Sequence, residues 1–250
     1  MNPFENYRSL SFMQWAGIQV LTVLSASLFA HFGVILLGKA GLAYPGLSTD
    51  INLQMHNLIA IAIAYTAMRS CGIEVSEIWT SPRPFRSELL ITFLGYIVYI
   101  AVMGIFAIAV IMAGWYVLPL LKLASRQEAA AVVSSLPCVE HSRQWAPSAA
   151  TPVFQALARF AGICILSPLA EEILYRRFLY VALRKSRGFL FSITAASVIF
   201  ALFHVTEAPQ VLLPGILLFW LYEKGRSLRL NILLHMLMNI TAFAVHTYNA

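Results

Sequence analysis

Runs of apolar residues long enough to cross a lipid bilayer recur along the whole of this 250-residue chain, and no other feature narrows its fold as far. A helix needs about 20 predominantly apolar residues to span the hydrocarbon core. Seven segments approach or exceed that length: Phe12–Leu37, Leu53–Ala67, Leu89–Leu121, Pro152–Leu183, Phe189–His204, Val211–Tyr222 and Asn231–Tyr248. The expected fold is therefore all-α, a polytopic integral membrane bundle of about seven to eight helices. The second and sixth segments are short, whereas the third and fourth need tilt, a kink or an interfacial extension. Pro168 is the natural kink. The first apolar stretch is much longer than a signal-peptide core of about 7–15 residues and reads as an uncleaved span.

Composition removes the soluble alternatives, since 60% of the residues are hydrophobic and the mean hydropathy is +0.76. The net charge of +6 does not point to nucleic acid, because the basic residues form no run interleaved with aromatics and gather at the ends of apolar segments. Cys71, Cys138 and Cys164 have no metal-like spacing and read as small apolar packing groups. With the N-terminus inside, the inner loops and helix ends hold twelve basic residues: Arg8, Arg69, Arg83, Arg86, Arg176, Arg177, Arg184, Lys185, Arg187, Lys224, Arg226 and Arg229. The outer loops keep four, Lys39, Lys122, Arg126 and Arg143, while Arg159 lies within a span. The positive-inside rule then favours a cytoplasmic N-terminus and an outer C-terminus. The expected location is a prokaryotic inner or plasma membrane.

Against this background the stretch Leu169–Phe178, LAEEILYRRF, is anomalous: only 11% of the chain is charged, yet four charges fall within two helical turns. At the bilayer centre each would cost about 2.5–3.5 kcal/mol before pairing. On a helix Glu172 and Arg176 stand at i, i+4 with the glutamate N-terminal, the better orientation for an ion pair. Glu171 is turned about 100° away and is left without a partner on its own helix. A carboxylate left so in a low-dielectric interior suits a general base working near neutral pH. A simpler reading has Arg176 and Arg177 end the span at the headgroups, with the glutamates snorkelling beside them. Two later segments weigh against it. FALFH puts Phe200 and His204 on one helix face, and HMLMN does the same for His235 and Asn239. Polar residues on neighbouring spans face the bundle interior or a water-filled cavity, so they can converge.

Three ordered motifs result: Glu-Glu-x-x-x-Arg at 171, 172 and 176, Phe-x-x-x-His at 200 and 204, and His-x-x-x-Asn at 235 and 239. They resemble those of the CPBP family of intramembrane endopeptidases, also called Abi, the CAAX-protease and bacteriocin-processing family. The resemblance runs from about Val153 to Thr247. It implies N-terminal membrane helices and an outer loop over 1–150, without family signal, followed by a catalytic helical core over 151–250. A glycine often follows the motif arginine in that family, and here Arg177 stands in its place.

The resemblance further implies an activity: hydrolysis of a peptide bond near the C-terminus of a membrane-anchored protein or peptide, as in CAAX-like or sorting-tag processing. Glu171 with His204 would hold and deprotonate a water. His235 and Asn239 would donate to the oxyanion, and Glu172, Arg176 and Phe200 would support them. No serine or cysteine nucleophile is needed: Ser167 lies near the glutamates without a base at motif spacing, and Cys164 is about two turns before Glu171. No cofactor is favoured. Zinc is the alternative, with Glu171, His204 and His235 as ligands, although no His-Glu-x-x-His helix is present. A proton- or ion-coupled transporter and a non-catalytic scaffold stay open as other classes, the former without the inverted repeats common in transporters. Beyond substrate and lipid bilayer no partner is indicated, and nothing indicates an oligomeric state. His31, His56 with Asn57, and His246 are read as interhelical or interfacial groups.

The orientation is testable with single cysteines placed between Lys122 and Ala150 in a background lacking the native three. They should react with an impermeant thiol reagent on intact cells, whereas labelling around Lys185 instead would invert the assignment.

Overall fold

The computed structural model describes residues 2–41, 47–113, 125, 153–204 and 208–248. Each of the seven apolar segments coincides with a helix: α1 Phe12–Lys39, α2 Leu47–Ser70, α3 Phe85–Met112, α4 Val153–Ser186, α5 Phe189–Leu202, α6 Ala208–Gly225 and α7 Leu228–Tyr248. A 3₁₀ turn, Val75–Ile78, lies between α2 and α3, and no strand occurs among the described residues. The chain is an all-α membrane bundle. The outer loop expected from Lys122 to Ala150 falls outside the described residues apart from Ser125, as do Cys138 and the end of the third expected span.

Four helices, α1, α3, α4 and α7, are long and apolar enough to cross a membrane, while α5 is apolar but has only 14 residues. The second helix outruns its expected bounds. Its polar residues Asp50, Gln54 and Asn57 do not end the helix, because they bond to α4 instead of water. Ser11 starts α1 with a reciprocal capping box: its Oγ accepts from the Gln14 amide at 3.2 Å, and Gln14 Oε1 accepts from the Ser11 amide at 2.9 Å.

Helix α4 is the axle of the bundle, in contact with α1, α2, α5, α6 and α7. It is not a uniform α-helix. Gly162–Leu166 and Glu172–Tyr180 are wound wide, as π-helix, on either side of an α-helical turn, Ser167–Glu171. Pro168 accounts for the first widening. It has no N–H to give, and its ring would clash with the carbonyl four residues back. The Ser167 amide therefore reaches back to Gly162. Ile163 is left without a backbone donor, and the Asn239 amide of α7 supplies one at 2.9 Å. From α2, Asn57 Nδ2 donates to the Gly162 carbonyl at 3.0 Å and Gln54 Nε2 to the Ala158 carbonyl at 2.8 Å. A side chain at 162 would close this approach, since a Cβ there would stand 2.5 Å from Gln54 Nε2. All nine residues of the second wide stretch are buried, so its charges must find partners inside the protein.

Arg159, which the sequence leaves stranded in a span, is answered by Asp50: Nε donates to Oδ1 at 2.7 Å, and Gln155 Nε2 donates to Oδ2 at 2.6 Å. Helix α3 is fastened to α7 by Arg229 Nε to Glu88 Oε2 at 2.6 Å and by the hydroxyls of Tyr96 and Thr241, also 2.6 Å apart. Residues before α1 fold back beneath α4. Phe4 is fully buried between Tyr7, Tyr180 and Tyr222, and Asn2 Nδ2 donates to the Arg184 carbonyl.

Breaking a buried pair by removing one member costs about 3–5 kcal/mol, because the survivor is left charged and unpaired. Asp50→Ala should therefore lower the thermal midpoint of the protein in detergent by many degrees. Adding Arg159→Met should recover much of the loss.

Candidate active site

The two adjacent glutamates of α4 face different surroundings. Glu172 is fully buried and is held by three side chains from two helices: Arg176 Nε of α4 lies 3.1 Å from Oε2, and from α7 His235 Nδ1 lies 2.7 Å from Oε1 while Asn231 Nδ2 donates to Oε2 at 3.4 Å. The Arg176 contact is an ion pair without hydrogen-bond geometry. The guanidinium is instead sandwiched between aromatic faces, 4.4 Å from the ring centroids of both Phe200 and Phe219. Phe200 and Phe219 thus pack the guanidinium from both sides.

Glu171 opens the other way, and its side chain keeps 20% of its exposure where that of Glu172 keeps none. The expectation that it lacks a partner on its own helix is corrected here. Ser167 Oγ, one turn earlier, donates to Oε1. The second oxygen, Oε2, is enclosed and has no hydrogen-bond partner among the described residues. Toward it turn the Nε2 atoms of His204, at 3.9 Å, and His235, at 3.8 Å. The other nitrogen of each ring is tethered: His204 Nδ1 to the Phe200 carbonyl at 2.8 Å, and His235 Nδ1 to Glu172. With both Nδ1 atoms so engaged, each ring presents its Nε2 toward Glu171.

Crude spans place His204 and His235 at different depths, yet the structure brings them together. Helix α5 has only 14 residues, about 21 Å, so it ends part-way across and leaves His204 inside the bundle. His235 lies two turns into α7 from the same end of the bundle. Of the expected set, Glu171, His204 and His235 converge, and Glu172, Arg176 and Phe200 form the layer behind them. Asn239 differs: the hydrogen bond it makes is to the Ile163 carbonyl, so it acts on the backbone before Pro168. Sequence reasoning missed Asn231 and passed over Ser167, although each lies four residues before a motif residue. His56, set aside from the sequence, lies on α2 within electrostatic reach of Glu171.

The residues named for the zinc alternative, Glu171, His204 and His235, are the ones that converge, with the two histidine nitrogens 3.9 and 3.8 Å from Glu171 Oε2 against about 3.4 Å between neighbouring ligands of an ideal tetrahedral zinc. Among the described residues no group of three His, Cys, Asp or Glu side chains is assembled to hold a metal.

The family model for type II CAAX prenyl endopeptidase, Rce1-like, matches residues 152–241. The match covers just over a third of the chain, and that segment is similar to the family. It begins at α4 and ends on α7 beyond Asn239, so all the motif residues lie inside it. No match to the chain was found among curated proteins or among solved structures.

The unequal surroundings of the glutamates separate their variants. Glu171→Gln should cut cleavage by about 10²–10⁴-fold, the usual contribution of a general base, while leaving the thermal midpoint near that of the parent. Glu172→Gln should lower midpoint and activity together, because Arg176 loses its countercharge. Equal loss of folded protein in both would refute the division.

Proposed function

We propose that the protein is an intramembrane endopeptidase in which Glu171 and His204 activate a water for attack on a peptide bond near the C-terminus of a membrane-anchored protein or peptide, CAAX-like or bearing a sorting tag. The observation that carries this reading is the approach of two histidine Nε2 atoms to one enclosed carboxylate oxygen, with each Nδ1 tethered behind. Separations of 3.8 and 3.9 Å are too long for direct hydrogen bonds and are of the size a single water bridges.

Proton bookkeeping assigns the roles. A water has two hydrogens and cannot serve three acceptors at once. The cluster of Glu171, Glu172 and Arg176 also carries one excess negative charge, which a single imidazolium would balance. His235 suits that state, since its Nδ1 hydrogen already goes to a carboxylate and a hydrogen on Nε2 would remain for substrate. Glu171 then takes a proton from the water while His204 orients it, and the water oxygen bonds to the peptide carbonyl carbon. The carbonyl oxygen becomes an oxyanion and accepts from His235 Nε2–H, a contact of a kind commonly worth about 3–4 kcal/mol. As the carbon–nitrogen bond breaks, Glu171 passes the proton to the leaving amine. Glu172 and Arg176 hold His235 and the wide helix, and Asn239 holds the turn before Pro168. Membrane depth serves the chemistry, since a water-poor site strengthens each of these interactions.

Purified protein reconstituted in liposomes should release the C-terminal peptide of a membrane-anchored reporter, and the Glu171→Gln protein should not. Activity should survive prolonged chelation with less than stoichiometric zinc by elemental analysis. Loss of cleavage on chelation, restored by zinc, would overturn the metal-free route.

A further inference from the structure

At the end of the bundle where α2 and α6 finish and α1, α3 and α7 begin lies a cavity of about 610 Å³. Its walls come from the residues before α1, the segment joining α2 to α3, Arg177, and the junction of α6 with α7. None of Glu171, His204 and His235 lines it, so it is distinct from the cluster around Glu171. Because it lies where the spans begin and end, it sits at headgroup level.

Most of its charged groups are already engaged. Arg177 is 2% exposed, and its Nε donates to Glu77 Oε1 at 2.6 Å while Nη1 donates to the Arg8 carbonyl at 2.6 Å. Arg8 donates to the Gly72 carbonyl at 2.7 Å, and Glu74 accepts from Ser76 at 3.0 Å. Among what is left over are three groups that can donate. The Arg226 side chain makes no hydrogen bond or ion pair among the described residues. Tyr222 is 1% exposed, with its ring packed on Phe4 and Tyr180, yet its hydroxyl has no hydrogen-bond partner, and the hydroxyl of Tyr7 has none either. Burial raises the Tyr7 phenol above its ordinary range, which keeps it protonated and a donor. The lining carries one cation more than its anions.

The backbone points the same way. Arg226 follows the last residue of α6 with φ of +50°, and it is the one non-glycine residue with positive φ among those described. Its amide closes the helix on the Tyr222 carbonyl at 2.8 Å. Glycine holds that conformation without strain. An arginine kept there, lining a cavity without a countercharge, is the kind of local cost that marks a binding function.

We propose that this cavity binds the phosphate of an anionic phospholipid headgroup, with Arg226, Tyr222 and Tyr7 as the donors. Basic pockets between helices at the membrane surface recognise such headgroups, and this one would also join the start of the chain to the α2–α3 segment and to α4.

The test uses the full-length protein, delipidated in neutral detergent, with its thermal midpoint followed against added phosphatidylglycerol, phosphatidylcholine or glycerol 3-phosphate. Phosphatidylglycerol should raise the midpoint saturably, and the other two should do so much less. Arg226→Gly should leave the lipid-free midpoint at or above the parent value, because the strain is relieved, and weaken the lipid response about tenfold or more. Tyr222→Phe should weaken it too, whereas Arg187→Gln, which alters an arginine outside the cavity, should not. An unchanged response in Arg226→Gly and Tyr222→Phe, or an equal loss in Arg187→Gln, would overturn the proposal. An equal shift from phosphatidylcholine would remove the selectivity for anionic lipid, and an equal shift from glycerol 3-phosphate would make the occupant a soluble phosphate ester and overturn the lipid assignment.

Discussion

The carboxylate of Glu172 is the point on which the second half of the bundle depends. It joins α4 to α7 through His235 and Asn231, and it answers Arg176, whose aromatic sandwich joins α4 to α5 and α6. In water such a group would contribute little. Inside a lipid-embedded bundle, where removing either partner strands a charge, it ties four helices together. Because the same carboxylate claims His235 Nδ1, it also decides which nitrogen of that ring faces Glu171. The scaffold and the reactive cluster therefore share an atom.

A second constraint is the winding of α4. An α-helix must satisfy its backbone internally, and a proline in the middle of one breaks that rule. Here the break is repaired from outside by the amides of Asn57 and Asn239, with Gln54 one turn further back. These bonds fix where α2 and α7 stand relative to the helix that carries the glutamates. Wide turns of this kind are rare and gather at functional sites. In this chain their physical content is plain: they free carbonyls that neighbouring helices can hold.

How much of this was legible in the sequence follows from the range of each interaction. The seven helices were, because apolar length is a local property. The pair Glu172–Arg176 was, because both members lie on one turn. The separation of the glutamates into a sealed and an open one followed from the same geometry, although the Ser167 contact to Glu171 did not enter it. The wide winding could not be read, since hydrophobicity on nearly every face leaves no period to measure. Nor could the joining of Asp50 to Arg159, or of Trp15, whose indole donates to the Leu174 carbonyl across 159 positions, because nothing local records the partner. Arg177, a departure from the family pattern, has a receptor in Glu77 and the Arg8 carbonyl that lies far outside the matched segment.

That receptor, with the burial of Phe4, has a consequence for the order in which the protein is made. The residues before α1 leave the ribosome ahead of the helices, but apart from Gly72, which accepts from Arg8, the groups that hold them belong to the second half of the chain: Arg177, Tyr180, Arg184, Lys185 and Tyr222. The bond from Asn2 to the Arg184 carbonyl spans 182 positions. Most of what secures this segment is therefore missing until α4 and α6 have been made. It is synthesised ahead of the helices it docks on, and its docking joins the two halves of the chain.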